Sequence, residues 1–336
     1  MNAFVLVVLA ASAFEDGTHM KNIGEYARAA ELYERHAREQ PADANAKAAL
    51  RDALLFRMAL ADEAAALADA ELYLRAYGSD AEAPAIAAAI VLHSADEEDW
   101  PAVTREAARK MNVVDRGPIA LRMQTHAAFA RALAASRDPR AKNEYARVRD
   151  MSRELREARD GDPQAMRRFA RGLDAYGEAL VFAADEKRDA TAWAPLAANP
   201  AQAAIDAWVA ARSAQIRAVE AEYEKVTEIQ PAPPPRWVIA GAARSAALWT
   251  RAADELVLRL PAKKRSERAA LRDVDAKRAA KACIDYSAKY QWTDDGTRAC
   301  AAWLEKNFRR EYPPMDELAI AARMRTASPV VQSPLQ

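Results

Sequence analysis

Glycine is scarce in this chain, 9 of 336 residues, and cysteine is scarcer still, at 2. β-Branched runs longer than two hardly occur outside the first ten residues, which argues against strands. There is no G-x-x-x-x-G-K-[ST] loop and no G-x-G-x-x-G fingerprint to cradle a phosphate, and no G-x-S-x-G nucleophile elbow. The four histidines, His19, His36, His93 and His126, never fall three or four residues apart. A metal site built on them would have to converge from distant segments, so each reads as a surface or partly buried helix residue. Cys283 and Cys300 lack the C-x-x-C spacing of redox or zinc sites. Lys plus Arg equals Asp plus Glu at 49 each, so the chain lacks the positive excess that a nucleic-acid partner calls for. No catalytic, cofactor-binding or metal-binding residue emerges, and the expectation is a protein that is not an enzyme and holds no cofactor.

What the chain has in quantity is alanine, leucine, glutamate and arginine, all strong helix formers. Hydrophobic residues make up 51%. The fold class read from this is all-α. Charge is segregated along the chain. Between Ala61 and Asp99 ten acidic residues face Arg75 alone, and between Arg259 and Lys281 nine basic residues face Glu267, Asp273 and Asp275. These runs read either as solvated helix faces or as surfaces that meet complementary partners.

The run from Ala3 to Phe14 is apolar and uncharged, too short for the ~20 residues a spanning helix needs. It contains Ala11-Ser12-Ala13, a small-x-small cleavage pattern, although Met1-Asn2 in front of it carries no Lys or Arg. A signal peptide over 1–13 is expected, hence a periplasmic or exported protein. The alternative is a cytoplasmic chain whose first helix packs into the fold. No other segment could cross a membrane.

Gly24, Tyr26, Ala29, Tyr33 and Pro41 stand at offsets of 0, 2, 5, 9 and 17. Glycine permits a tight turn, and a small residue lets two helices cross closely. The aromatics fill the gap to a neighbour, and proline stops the helix. This order resembles the second helix of the tetratricopeptide repeat, with His36 departing from the second small position, where it would loosen the crossing or tilt to solvent. Asp43 reads as an N-cap, and Ala44 to Leu60 as a helix with core positions Leu50, Leu54, Leu55 and Met58. Its partner helix runs from Ala66 to Tyr77 and ends at Gly78. A third pair spans Pro84 to His93 and Trp100 to Met111, Trp100 taking the place of Tyr26. A fourth spans Pro118 to Ala135 and Arg140 to Arg159. Recurrence at 37 residues between Pro41 and Gly78 is the mark of a solenoid.

Beyond Gly161 longer helices are expected: Pro163 to Lys187, Pro200 to Ile229, Arg236 to Arg259, then a closing hairpin of Arg265 to Tyr290 and Asp295 to Phe308. Arg212 interrupts the apolar stripe of the second, so that face is not uniformly buried. Pro231 to Pro235 forces an extended joint. Midway between Cys283 and Cys300 lie Gln291 and Trp292, where the chain would reverse. The pair then reads as one disulfide or as two buried thiols. Trp193, Trp208, Trp237, Trp249, Trp292 and Trp303 read as core, or else as a stacking cleft for glycan, with Trp292 the best candidate for exposure.

The run Lys225 to Ile229, the prolines, Arg236 to Ala240, Lys289 to Trp292, Trp303-Leu304 and Tyr312-Pro313 look similar to the C-terminal half of exported tetratricopeptide-repeat proteins associated with bacterial gliding motility. The resemblance implies an envelope scaffold and carries no catalytic residue. The expected layout is therefore a signal peptide (1–13), a repeat domain (14–160), a C-terminal antiparallel bundle of long helices (161–325) and a flexible tail (326–336). The expected function is a protein-binding scaffold of the cell envelope whose inner helices line a groove for a peptide or helix. The alternative is a cell-wall module that binds or processes glycan.

Overall fold

A computed structural model describes residues 13–159, 166–198, 200–260 and 271–313. Residues 1–12 of the leader expected over 1–13, the helix start at Pro163, the basic residues 263–268 and the tail from 326 lie outside these. Among the described residues every regular element is a helix, with no strand, and none is long and apolar enough to cross a membrane. The chain divides into two compact units, 1–144 and 145–336.

The first unit is a run of helical hairpins. α1 covers 13–22, followed by α2 (Tyr26–Glu39), α3 (Ala46–Ala59), α4 (Glu63–Tyr77), α5 (Ala83–Asp96), α6 (Trp100–Val114), α7 (Ile119–Ala135) and the first residues of α8 (Arg140–Asp150), which runs on past the boundary. Each of α2 to α6 packs on the helix that follows it, and α5 also packs on α7, the pattern of a helical repeat.

One turn recurs four times. Gly24, Ala61, Glu98 and Arg137 all have positive φ, between 54° and 85°, at spacings of 37, 37 and 39 residues. After each comes an acidic residue whose N–H bonds back five residues: Glu25 to Met20, Asp62 to Arg57, Asp99 to Ser94 and Asp138 to Leu133, at 2.8–2.9 Å. This is the Schellman closure of a helix C-terminus. The same acid then caps the next helix: Asp62 Oδ1 accepts from Ala65 N–H at 3.4 Å and Asp99 Oδ1 from Ala102 N–H at 3.0 Å.

Packing between these helices is carried mainly by alanine. Ala29, Ala30, Ala49 and Ala53 are all essentially inaccessible where α2 meets α3, together with Tyr33. Small side chains let helix axes approach closely. They also correct the expected core of α3. Leu50 and Leu54 are buried with Ala46, Ala49 and Ala53, whereas Leu55 and Met58 are 45% and 58% exposed. The stripe facing the neighbours is narrower than a leucine count suggests, because alanine fills it.

Other boundaries shift. α4 begins at Glu63, one turn before Ala66, because Asp62 is the cap. The helix expected from Arg140 to Arg159 is two, α8 and α9 (Ser152–Arg159), interrupted at Met151; no helix-breaking residue accounts for that interruption.

The second unit gathers α9, α10 (Met166–Ala190), α11 (Gln202–Glu224) with a 3₁₀ turn at Lys225–Glu228, α12 (Pro235–Arg259), a π-turn at Leu271–Ala276, α13 (Lys277–Tyr290) and α14 (Asp295–Phe308). α12 is the hub, packed by α10, α11, α13 and α14. Its Trp249 is wholly buried, and its indole N–H donates to Glu220 at 3.2 Å. The proline run delivers an extended backbone at Pro234 and places Pro235 in the first turn of α12, where a missing N–H costs nothing. α13 and α14 form the closing hairpin, reversing at Gln291 in a left-handed conformation.

The recurrent turn is open to direct test. A Cβ at Gly24 would meet nothing within 4 Å, so Gly24→Ala should lose about 1 kcal/mol through backbone conformation alone. Glu98→Gly, at the equivalent position, should gain stability, by up to about 1 kcal/mol after the larger unfolded-state entropy of glycine is subtracted. Urea midpoints at unchanged m-value read both.

Candidate interaction surfaces and the polar interior behind them

The recurrence of the turn brings polar side chains to equivalent places inside the repeat unit. Twelve residues after Gly24, Ala61 and Glu98 stand His36, Tyr73 and Lys110, which are 3%, 0% and 6% exposed. His36 was expected to loosen the crossing or tilt to solvent. It is instead buried, its ring 5.3 Å from Phe14 and its Nε2 3.1 Å from Asp43 Oδ1. Tyr73 repeats the contact one hairpin later, its hydroxyl donating to Asp80 Oδ1 at 3.1 Å.

Asp43 and Asp80 in turn accept backbone N–H groups, Asn45 at 2.8 Å and Glu82 at 3.0 Å, so each ties the loop that opens the next hairpin. The Asn45 N–H, then His36, holds the Asp43 carboxyl below its usual range. Asp80 is pulled down to about 2, first by Lys47 and then by the Glu82 N–H.

In the third hairpin the aspartate position is Gly117. A Cβ there would stand 2.8 Å from Pro84 Cβ, so no side chain fits. Lys110 bonds elsewhere, to Glu71 at 2.6 Å and Glu106 at 2.7 Å. Burial works against the ammonium, but Glu106 and Glu71 outweigh it and the net direction is upward.

A second charged cluster joins α2, α3 and α4. Arg57 reaches Glu34, Asp62 and Asp69. Asp69 is wholly inaccessible. Arg57 Nε stands 2.8 Å from its Oδ2, close enough for an ion pair, yet neither carboxylate oxygen has an aligned donor. Burial, then the negative charge of Glu34, pushes the Asp69 carboxyl up to about 7, with Arg57 opposing. His126 is also fully buried, with Nδ1 2.7 Å from Glu144 and Nε2 2.9 Å from Asp115. Two of the four histidines are thus interior, where surface or partly buried positions were expected.

The residues singled out for repeat packing take the following places. Ala29 is wholly buried and Ala66 nearly so. Tyr33 is 3% exposed, covered by Phe14 at 5.6 Å and by Gly17, where a Cβ would press within 2.8 Å of the ring. A short first helix over 13–22 is therefore enough to cover it. Tyr26 stays 46% exposed beside Phe56, at 5.1 Å. Trp100, two residues after Glu98 as Tyr26 is after Gly24, is half-buried against Val91, Val103, Ala128 and Ala132. The carbonyl of Pro41 accepts from the Tyr77 hydroxyl at 3.1 Å. Gly78 follows α4 with right-handed φ, so it ends the helix without the left-handed turn.

In the second unit Arg212 is buried, not an interruption of a wet face. Its guanidinium lies 5.2 Å from Trp193 and 4.9 Å from Trp208, and donates to the Ala194 carbonyl at 2.7 Å. Trp208 and Gln215 donate to the same connector, at Ala194 and Ala192. Burial lowers the Arg212 pKa, with Glu255 acting against that shift. Trp193, Trp208, Trp249 and Trp303 pack in or against the core, and Trp292 is 50% exposed. Cys283 and Cys300 are joined as a disulfide between α13 and α14, with Cα atoms 6.6 Å apart.

Among the described residues no group of three or more His, Cys, Asp or Glu is placed to hold a metal ion. No family model matches the chain, and no curated protein sequence matches it.

The polar interior of the repeat unit was missed from the sequence, although a signal was present. His36 and Tyr73 stand 37 residues apart, each followed seven residues later by aspartate. Period-matching of polar positions, not only apolar ones, would have found them.

Two measurements follow. The raised Asp69 pKa means that the folded state holds this proton more tightly than the unfolded chain does. Its contribution is full below about pH 4 and is lost as pH rises towards 7, with a slope of at most about 1.4 kcal/mol per unit. Asp69→Asn should flatten stability over pH 4–7 relative to wild type and be the more stable protein at pH 8, read from urea midpoints at each pH. Replacing both Cys283 and Cys300 by alanine should lower stability by about 3 kcal/mol, the loop-closure value for a short loop, read from the same titration at pH 7.

Proposed function

We propose that this chain is a non-catalytic scaffold of the bacterial cell envelope. Its first unit is a tetratricopeptide-type array that binds a peptide or helix of a protein partner, and the second is a bundle of long helices. The observation that carries this reading is the fourfold turn, a left-handed residue followed by an acid at spacings of 37, 37 and 39 residues. Stacked repeats of this kind present extended surfaces for partner segments. Export is supported by the Ala11-Ser12-Ala13 pattern and by the Cys283–Cys300 disulfide, a bond that persists in oxidising compartments. Membership of a multi-protein envelope or motility complex follows the resemblance of the C-terminal half. The glycan-binding alternative draws less support, because four of the six C-terminal tryptophans pack in or against the core.

Arg51 is exposed on α3. A photo-crosslinker in its place, in the full chain within its native envelope, is expected to yield a discrete protein adduct. No protein adduct, together with sedimentation of the chain on purified cell wall, would replace this reading with the glycan module.

A further inference from the structure

The four recurrent turns share one backbone closure, but only one has a charged side chain on the residue that accepts it. The closing N–H bonds to Met20 in the first turn, Ser94 in the third and Leu133 in the fourth, and to Arg57 in the second. Arg57 therefore holds the Ala61–Asp62 turn through its carbonyl, 2.9 Å from the Asp62 nitrogen, while its guanidinium serves the buried cluster. The left-handed residue of this turn is Ala61, with φ 57°, a conformation that alanine adopts at a cost.

Charge in the cluster is balanced only when Asp69 is neutral. One guanidinium, that of Arg57, meets three carboxylates: Glu34 from α2, Asp62 of the turn at 3.5 Å, and Asp69 of α4 at 2.8 Å. Arg38 of α2 adds a second cation on Glu34. Two arginines thus match Glu34 and Asp62. An ionised Asp69 leaves one negative charge in excess, at a side chain that is wholly inaccessible and therefore costly to leave uncompensated. The charged groups that α5 and α6 direct to α4 meet other carboxylates, His93 at Glu63 (3.9 Å) and Lys110 at Glu71 (2.6 Å). Among the partners of Arg57, Asp62 is half exposed and stands farthest away, so that pair yields most easily.

We infer that the second turn is a proton-operated joint. With Asp69 protonated, Arg57 spans Glu34 and Asp62 and the turn is closed. When the proton leaves to solvent, Arg57 is drawn to the Asp69 carboxylate and releases Asp62, and the closure at Ala61–Asp62 opens more often. Burial, then the charge of Glu34, pushes the Asp69 carboxyl up to about 7. The folded state thus holds the proton more tightly than the unfolded chain, so the closure is firmest below about pH 4 and weakens as pH rises to about 7. The loss of stability with rising pH is thereby placed at one turn of the four, and it holds independently of the scaffold reading.

Amide hydrogen exchange in the full chain, with each rate corrected for its intrinsic pH dependence, reads the turns one by one. Protection of the Asp62 and Ala65 N–H groups, bonded to the Arg57 carbonyl and to Asp62 Oδ1, should fall by at least about 10-fold from pH 5 to pH 8. Protection of Glu25 and Asp99, which close the first and third turns, should stay level over the same range. Asp69→Asn, which cannot ionise, should abolish the fall. Glu34→Gln, which lets the two arginines match Asp62 and Asp69, should make the fall smaller and end it at lower pH. Glu34 is partly exposed, so this second variant serves if Asp69→Asn does not fold.

An equal fall at all three turns assigns the effect to the whole fold and overturns the inference. So does a fall that either variant leaves unchanged, or level protection at Asp62 in the wild-type chain.

Discussion

The first unit depends on one backbone device, a helix end closed by a left-handed residue and a hydrogen bond from the following N–H to the carbonyl five residues back. Because the closure is made of backbone, it fixes where the second helix of each hairpin starts whatever side chain occupies the turn. Glycine adopts this conformation freely, whereas alanine, glutamate and arginine adopt it at a cost. That three of the four turns use non-glycine residues means surrounding packing holds them there. The acid that follows donates the closing bond, and in the second and third turns also caps the helix it begins. One dipeptide thus ends one helix and starts the next.

The fixed repeat length has a second consequence. It carries the same position of each second helix to the same place in the stack, so a polar residue there recurs as a buried one. His36 and Tyr73 reach forward to the aspartate that organises the next loop, linking adjacent hairpins side chain to backbone. Lys110 occupies the place without that aspartate, because Pro84 leaves no room for a side chain at Gly117, and turns to glutamates. In an alanine-rich core each methyl group removes little apolar area from water. The polar contacts add little net stability of their own.

The second unit is held by other means. A largely aliphatic core surrounds the buried Trp249 of α12, with Trp193, Trp208 and Trp303 packed against it, and the irregular connector before α11 is pinned by donors from Trp208, Arg212 and Gln215 to its carbonyls. Where helices are long and unrepeated, each joint requires its own side chain. The disulfide between α13 and α14 ties the last hairpin in the same individual way.

Much of this was legible in the amino-acid sequence. Alanine, leucine and the shortage of glycine and β-branched runs determined an all-helical chain, and Gly24 with the gaps between the expected helices located the hairpin turns. Local propensity and turn chemistry act over a few residues, so they can be read one segment at a time. Which face of α3 is buried, that His36, Asp69, His126 and Arg212 are interior, and that Leu55 and Met58 lie outside were decided only by the tertiary structure. Burial depends on how closely neighbouring helices approach. That distance is set by alanines on two chain segments at once, a relation no single stretch of sequence contains.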